Sequence, residues 1–454
     1  MSAKLGRLSV AAYAAPTIPE SIASIAIVVV IPGYYTSVLG VPAALVGIAL
    51  LASRCLDAVL DPLIGYISDR TRSRLWGRKP MVLAGALLFS LGAYALLAPP
   101  ARVDAVYLGL WSFIFYFGWT VYSVPYDAWG VELSAAAEAR SRIFTWRAGF
   151  FYIGMAAFFI APLLPGRAST MMDAQSMTQS AVAIAVLAPA LTLAALWLTP
   201  SGAPHAGPRD NLAGVAGSLL RNKPLRLYLI NALISGLGNG MNVSLAYLFM
   251  AEYLDLGSAF SIILLANILA NLVALPLWRA VILRLGKTRT WALALFLNAL
   301  LLPAYLLAPP DDSGFWIVLI VASLSGATYS ACNVLLPSIL GDIVDYEQWR
   351  TKHARAGSFF AVYALVRKLN NALGASAAFL IVAAFGYQTG RIEPGMQSLG
   401  LMVAFVALPV VLQLISAIMA LTFPINERRH DIVRKRLQRQ QPLEEREPAH
   451  AAPG

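Results

Sequence analysis

Apolar runs of about 20 residues or more, long enough for an α-helix to cross ~30 Å of hydrocarbon, recur from one end of this 454-residue chain to the other. Twelve are marked, over 9–38, 42–68, 80–99, 104–133, 143–165, 177–198, 225–252, 257–284, 289–308, 314–341, 357–386 and 397–423. The hydrophobic share of 59% and charged share of 13% exclude an ordinary soluble domain and agree with a bilayer as solvent. The expected fold is an all-α integral membrane protein of twelve transmembrane helices. The N-terminal stretch has a basic lead but no compact apolar segment ending in a small-residue cleavage site, so it reads as leading into the first helix without a signal peptide.

A net charge of +11 raises the question of a nucleic-acid partner, and its distribution answers it. Of 34 Lys and Arg, only Arg102, Arg167 and Arg391 fall in connections after odd-numbered helices. Basic residues collect on the cytoplasmic side of membrane proteins. Both termini are therefore expected in the cytoplasm, and the basicity reports topology. Cys55 and Cys332 lie inside helices without disulfide or metal-ligand spacing, and His205, His353, His430 and His450 all lie in loops or the tail. No cofactor is expected.

The stretch 199–224, rich in Gly, Pro and Ala, separates a six-helix half at 1–198 from another at 225–424, and 425–454 form a basic, then proline-containing cytoplasmic tail. The halves echo each other. Helix 2 ends in "GYISDRTRSRLWGRKP" and helix 8 in "LRLGKTRTW"; helix 4 ends in "YDAWGVELSAAAEARSR" and helix 10 in "GDIVDYEQWRTKHARAG". Two pseudo-symmetric halves with polar groups inside their helices match a secondary transporter that works by alternating access, with its site between the halves. Pro16, Pro19, Pro32 and Gly33 in helix 1, and Gly236, Gly238 and Gly240 in helix 7, mark these corresponding helices as broken or flexible.

Charge inside a bilayer is costly and normally faces a cavity or a partner. The candidates are Glu20, Arg54, Asp57, Asp61, Asp127, Arg147, Arg367 and Lys368. Asp57 and Asp61, one helical turn apart, share a face with Arg54. Two close carboxylates in a low dielectric take up a proton or hold a cation between them, and a hard cation such as sodium prefers oxygen ligands. An internal ion pair of Arg54 with Asp57 is the structural alternative. Asp69 and Arg70, at the start of the basic loop, read as charges that pin helix ends. Tyr122 and Tyr126, among the aromatics of helices 4 and 5, are candidate stacking platforms for a sugar. Asn231, Asn239, Asn242, Asn267, Asn271, Asn370 and Asn371 offer hydroxyl-binding amides or interhelical hydrogen bonds.

"DAVLDPLIGYISDRTRSRLWGRKP" resembles the helix 2 and loop signature of the glycoside-pentoside-hexuronide cation symporters, the melibiose-permease-like branch of the major facilitator superfamily. "GDIVDYEQWRTKHARAGSFFAVYALVRKLNNALG" is similar to the same family's signature after helix 10, and the likeness covers nearly the whole chain. The resemblance implies that Asp57 and Asp61 bind the coupling sodium, lithium or proton. It implies that Lys368 lies near the cation and substrate sites and that Arg147 contacts sugar. Independently of the resemblance, Arg54, Asp69, Arg70, Arg78, Asp342 and Asp345 are read as gating or structural charge.

The departures from that family are specific. Ser123 stands where the melibiose permeases use a helix 4 acid for cation and sugar, with Asp127 at the place of their stacking tryptophan. Ser21, beside Glu20, replaces a helix 1 acid, and Asn333 falls at a helix 10 tryptophan. The expected activity is cation-coupled symport of a small solute, a sugar or glycoside but not melibiose, by a monomer in the plasma membrane. A sodium-dependent lysophospholipid carrier is the alternative within the same fold, and a non-transporting sensor the weaker one. An enzyme is not expected, because no Walker-type loop, HExxH or Cys/His set is present.

Overall fold

Among the described residues, twelve helical rods carry the chain back and forth: α1 Arg7–Ser37, α2 Ala43–Arg70, α3 Lys79–Leu97, α4 Ala105–Glu132, α5 Ala137–Ile160, α6 Ala174–Leu198, α7 Lys223–Leu248, α8 Phe260–Leu285, α9 Lys287–Leu301, α10 Phe315–Thr351, α11 Ala356–Ala384 and α12 Met396–Leu421. This computed structural model describes residues 6–70, 76–133, 137–163, 174–201, 221–351, 356–387 and 395–424, without the side chains of 54–59, 62, 69–70, 131, 137–141, 356–358 and 361. The expected tail and most of the expected linker lie outside the described residues.

Local signals start the rods where the apolar runs begin. Asp104 caps α4 by accepting from the Tyr107 amide at 2.8 Å, and Asn222 caps α7 through the Leu225 amide at 2.9 Å. Pro80 and Pro224 occupy first-turn positions, where a missing N–H costs nothing. Among the described residues, nine segments are long and apolar enough to cross a membrane on their own. The rods outside that set are α2, α7 and α11, which carry polar residues such as Asp61, Asn231, Asn239, Asn242 and Lys368. The largest departure from the expected boundaries is α10, which continues from 341 to Thr351. Its additional turns are held by the Asn222 amide donating to Glu347 at 2.8 Å and by Arg350 donating to the Arg221 carbonyl at 3.1 Å.

Helix 1 is interrupted, as its prolines suggest: two α-segments meet at Ala15–Pro16, and a π-turn covers Ala26–Val30. Helix 7 corrects the expectation drawn from its glycines. It runs unbroken as α-helix from Lys223 to Leu248 and widens into a π-turn only at Phe249–Tyr253. Its glycines make room for neighbours instead. A methyl on Gly236 would lie 1.8 Å from Asn370 Nδ2, and one on Gly240 would lie 2.6 Å from the Asn370 carbonyl, so α11 can approach only because both side chains are missing.

The halves pack by one plan. α1 lies on α5 as α7 lies on α11; α2 on α4 as α8 on α10; α3 on α4 as α9 on α10; and α3 on α6 as α9 on α12. Between the halves, α2 meets α11, α5 meets α8 and α1 meets α7. Burial is distributed unevenly about this junction. One apolar core fills the N-terminal half from Tyr13 and Trp129 at the basic end to Tyr35 and Leu97 at the other, and crosses into the C-terminal half at the end holding the α1–α2 and α11–α12 connections; a second, built on Trp291, Leu335, Ile343 and Phe359, belongs to the C-terminal half alone at the basic end. The halves are therefore sealed together at one end and share less at the other.

Candidate functional site

Three polar centres lie within the bundle. The first joins the halves: Lys368 of α11 donates to Asp61 Oδ2 of α2 at 2.5 Å, with both side chains mostly buried. α2 also meets α4 here. Gly65, one turn beyond Asp61, faces α4, where a methyl on it would make an ordinary contact at 3.8 Å with Val124 Cγ1, the neighbour in sequence of the half-buried Ser123. The side chains of Arg54, Asp57, Asp69 and Arg70, which the sequence groups with Asp61, lie outside the described residues.

The second centre belongs to α1, α4 and α5. Arg147 donates to Asp127 Oδ1 and lies 3.8 Å from Glu20 Oε2, while its guanidinium carbon stands 4.4 Å above the Tyr126 ring. Planar, delocalised and weakly hydrated, a guanidinium suits a place between two acids and an aromatic face. Glu20 and Arg147 line an open recess of about 260 Å³ with Thr17, Phe144 and Phe151. Glu20 Oε2 and Arg147 Nε are buried without hydrogen-bond partners among the described residues, so the centre has unused capacity for a polar ligand.

The structure gives Tyr122 and Tyr126 other surroundings than those of an open platform. Both are fully buried, stacked on each other at 5.0 Å between ring centres. Tyr126 donates to the Tyr13 carbonyl, and Tyr13 returns a bond to the Tyr126 carbonyl at 2.8 Å. Tyr122 packs on Phe89 at 5.1 Å. The rings thus form a wall that holds Arg147 in place. Ser21 is buried and donates to the Ile18 carbonyl at 2.8 Å. Asn333 is exposed on α10, and no contact among the described residues brings it to either charged centre.

The third centre was not singled out as a unit by the sequence. A cavity of about 230 Å³ opens between α7, α8, α9, α10 and α12, walled on its other side by Ile25 and Val29 of α1 and Met155 and Phe159 of α5. Its polar lining includes Asn239, Asn242, Asn267, Asn271, Asn298 and Gln413. Asn298 and Gln413, each a lone amide in an apolar run, carry the same sequence signal as the seven asparagines named above and join some of them here. Asn231 and Asn370 instead tie helices together, donating to the Ser416 and Ala232 carbonyls at 3.1 and 3.0 Å.

The two ends of the bundle are pinned differently. At the basic end each half is tied to itself: Arg78 bridges Glu132 at 3.1 Å and Ser68 at 2.6 Å, and Lys287 bridges Asp342 at 2.6 Å. These pairs occupy matching places in the two halves, a base after the second helix and an acid near the end of the fourth. Asp345 lies half-buried three residues beyond Asp342. At the other end the ties cross between halves. Ser376 of α11 donates to the Gly47 carbonyl of α2 at 3.0 Å, and Tyr387, which donates to Glu252 Oε2 at 2.7 Å within the C-terminal half, lies with that acid beside Thr36 and Ser37 of α1. Neither Glu252 nor Tyr387 was anticipated; both sit beside helix ends where sequence alone does not reveal partners.

A profile described as MFS/sugar transport protein matches residues 12–427. The chain belongs to this family. Membership bears out the resemblance carried by the helix 2 motif and places the chain among multi-pass membrane transporters and not among enzymes. It is similar to the glucuronide carrier protein homolog of Escherichia coli, at 22% identity over 87% of this chain and 88% of that protein. It is also similar to sodium-dependent lysophosphatidylcholine symporter 1-A of Danio rerio, at 22% identity over 86% and 80% of the two chains. In fold it matches a crystal structure of the nucleoside transporter NupG, with a TM-score of 0.64, 14% identity and coverage of 91% of this chain and 99% of that one.

Proposed function

We propose that this family member is a cation-coupled symporter of a small sugar or glycoside, moving both across the plasma membrane by alternating access between the halves 1–198 and 225–424. The observation that carries the reading is the Asp61–Lys368 pair at 2.5 Å. Its carboxylate and neutralising ammonium belong to α2 and α11, one of the three helix pairs that meet between the halves. A cation arriving at Asp61, with Asp57 one turn away, competes with the ammonium for the carboxylate. Lys368 is then released to turn toward solute, and cation and solute raise each other's affinity through that shared group.

The basic connections support a cytoplasmic location for both termini and for the end at which each half is pinned to itself. The sealed end is then extracellular, which makes this an inward-facing arrangement. The coupling ion is sodium, lithium or a proton, and the carrier works as a monomer. Relatives named as a glucuronide carrier homolog and as a glycoside/cation symporter support the solute class. The lysophosphatidylcholine symporters favour an amphiphile as the second reading, and the apolar wall of the C-terminal cavity is the feature that suits it.

Purified protein titrated with sodium, lithium and protons, alone and with Asp61→Asn, tests the reading. Saturable cation binding that disappears in the variant is the expected result. Unchanged binding in Asp61→Asn would remove the carboxylate from the cation site, and no response to any of the three ions would argue for uniport.

A further inference from the structure

The amide-lined cavity of the C-terminal half has a composition unlike that of the recess around Arg147. Among the described residues, its lining contains no carboxylate, lysine, arginine or histidine. Its amides also have a fixed sense. Asn242, Asn267 and Asn298 donate their NH₂ groups to the backbone carbonyls of Phe405, Ala322 and Ser325 at 3.2, 2.6 and 3.0 Å. Only the NH₂ end of an amide can donate to a carbonyl, so each of these side chains keeps its oxygen to offer; Asn298 spends its second N–H on Thr328 Oγ1 at 2.9 Å, and Asn242 and Asn267 keep one N–H each beside that oxygen. Asn271 Oδ1 and Gln413 Oε1 are buried without a hydrogen-bond partner among the described residues. Buried acceptors left unsatisfied are costly, and a ligand that brings donors removes that cost.

Size and shape narrow the ligand. A cavity of about 230 Å³ lies below the range of about 300–1,000 Å³ typical of drug-sized ligands, so it suits one small ring. The amide side faces Ile25, Val29, Met155 and Phe159, giving one face for hydroxyls and one for C–H groups. The two cavities are also in series. Ile25 follows Glu20 by five residues and Met155 follows Arg147 by eight, so at 1.5 Å per residue the amide cavity is displaced about 8–12 Å along α1 and α5 from the charged recess.

We infer that this cavity is a solute-binding site selective for an uncharged, hydroxyl-rich ring, such as a neutral hexoside or pentoside, and that it rejects the matching uronate. The inference deepens the symport reading and rests on it for the solute class. Acceptor oxygens bind hydroxyl hydrogens and repel a carboxylate that has no cation beside it. The ring's C–H face lies against α1 and α5, so the ligand touches both halves and its departure is linked to their separation.

The test is binding to the purified full-length protein, read as ligand-induced thermal stabilisation and as displacement of a radiolabelled neutral sugar. Probes are a panel of methyl hexosides, methyl pentosides and linear polyols, each paired where possible with its uronate. The expected result is that at least one neutral probe binds, that its uronate binds at least 10-fold more weakly, and that Gln413→Leu and Asn271→Leu each weaken the neutral probe at least 10-fold. Val29→Phe fills the cavity from the apolar side, leaves every amide in place, and is expected to abolish binding in protein that elutes as folded monomer. Binding of no neutral probe, equal binding of the uronate, or full binding in Val29→Phe would overturn the inference. Cation-driven uptake into vesicles is measured separately. A bound neutral probe taken up without cation dependence would overturn symport and leave the cavity assignment standing; cation-driven uptake of uronates or lysophospholipids alone would do the reverse.

Discussion

Around α1, α4 and α5 the polar groups are ionic, and around α7 to α10 they are amides, although the two sets of helices pack in the same order. The contrast extends to how the helices are joined. α3 meets α4 through missing side chains: a methyl on Gly85 would lie 2.2 Å from the Tyr122 amide nitrogen, and one on Gly118 would lie 2.4 Å from that of Phe89. The matching pair in the other half, α9 and α10, is joined by Asn298 donating to the Ser325 carbonyl and to Thr328 Oγ1 at 2.9 Å. One packing plan thus tolerates two chemistries. What the repeat conserves is the order of helices and the charged pins Arg78–Glu132 and Lys287–Asp342, while the interior of each half is free to specialise.

The comparison can be broken most directly at the junction between the halves. Asp61→Asn is expected to lower cation-driven accumulation about 100-fold, equivalent to about 2.7 kcal/mol on the coupled step, while uncoupled exchange of solute persists; vesicle uptake with and without an imposed gradient distinguishes these. Equal loss of both would make Asp61 structural.

Next in size is the ionic half. Arg147→Gln leaves the buried Glu20 without its cation beside Tyr126, while the exposed Asp127 can turn to solvent, and should cost about 3 kcal/mol of stability. Arg147→Lys should recover only part of it, since an ammonium cannot serve two acids and a ring face as the planar guanidinium does. Thermal unfolding in detergent reports the order wild type, Lys, Gln; a lysine variant as stable as wild type would mean that the charge alone matters.

Gly85→Ala then tests close packing. Its methyl meets backbone, not a side chain that can swing away, so a loss of about 1–3 kcal/mol is expected. Asn298→Ala in the amide half should cost less, about 1 kcal/mol, the scale of an interhelical hydrogen bond in a membrane. A reversed ranking, measured in the same unfolding assay, would show that the amides and not the glycines set the spacing of these helices. Tyr387→Phe is the smallest change at the sealed end. Its hydroxyl lies beside Thr36 of the other half, so losing it should raise the labelling rate of a cysteine placed at Ser37 several-fold, by favouring the separated state.

Much of this was legible in advance because the bilayer leaves few options. Apolar length located the twelve rods, and the charges that broke the apolar pattern located Glu20, Asp61, Asp127, Arg147 and Lys368, which the structure gathers into two centres. Its limits have physical causes. A tyrosine on an apolar helix looks alike whether its face is open or covered, so only coordinates reveal that Arg147 lies over Tyr126. Glycine marks a flexible point or a close contact with equal ease, and in α7 the neighbour, Asn370, decides which. An amide in an apolar run marks a cavity or an interhelical bond with equal ease, and only coordinates set Gln413 at the first and Asn231 at the second.

The bond between Asp61 and Lys368 has an electrical side. Carrying one elementary charge through the membrane potential is worth about 2.3 kcal/mol per 100 mV. A carboxylate and an ammonium that travel together contribute no net charge, so in the proposed cycle this pair by itself adds no work against the field while the carrier is empty. An incoming cation adds a charge to that sum. Voltage then acts through this pair only when the ion is aboard, and the membrane itself distinguishes a loaded carrier from an empty one.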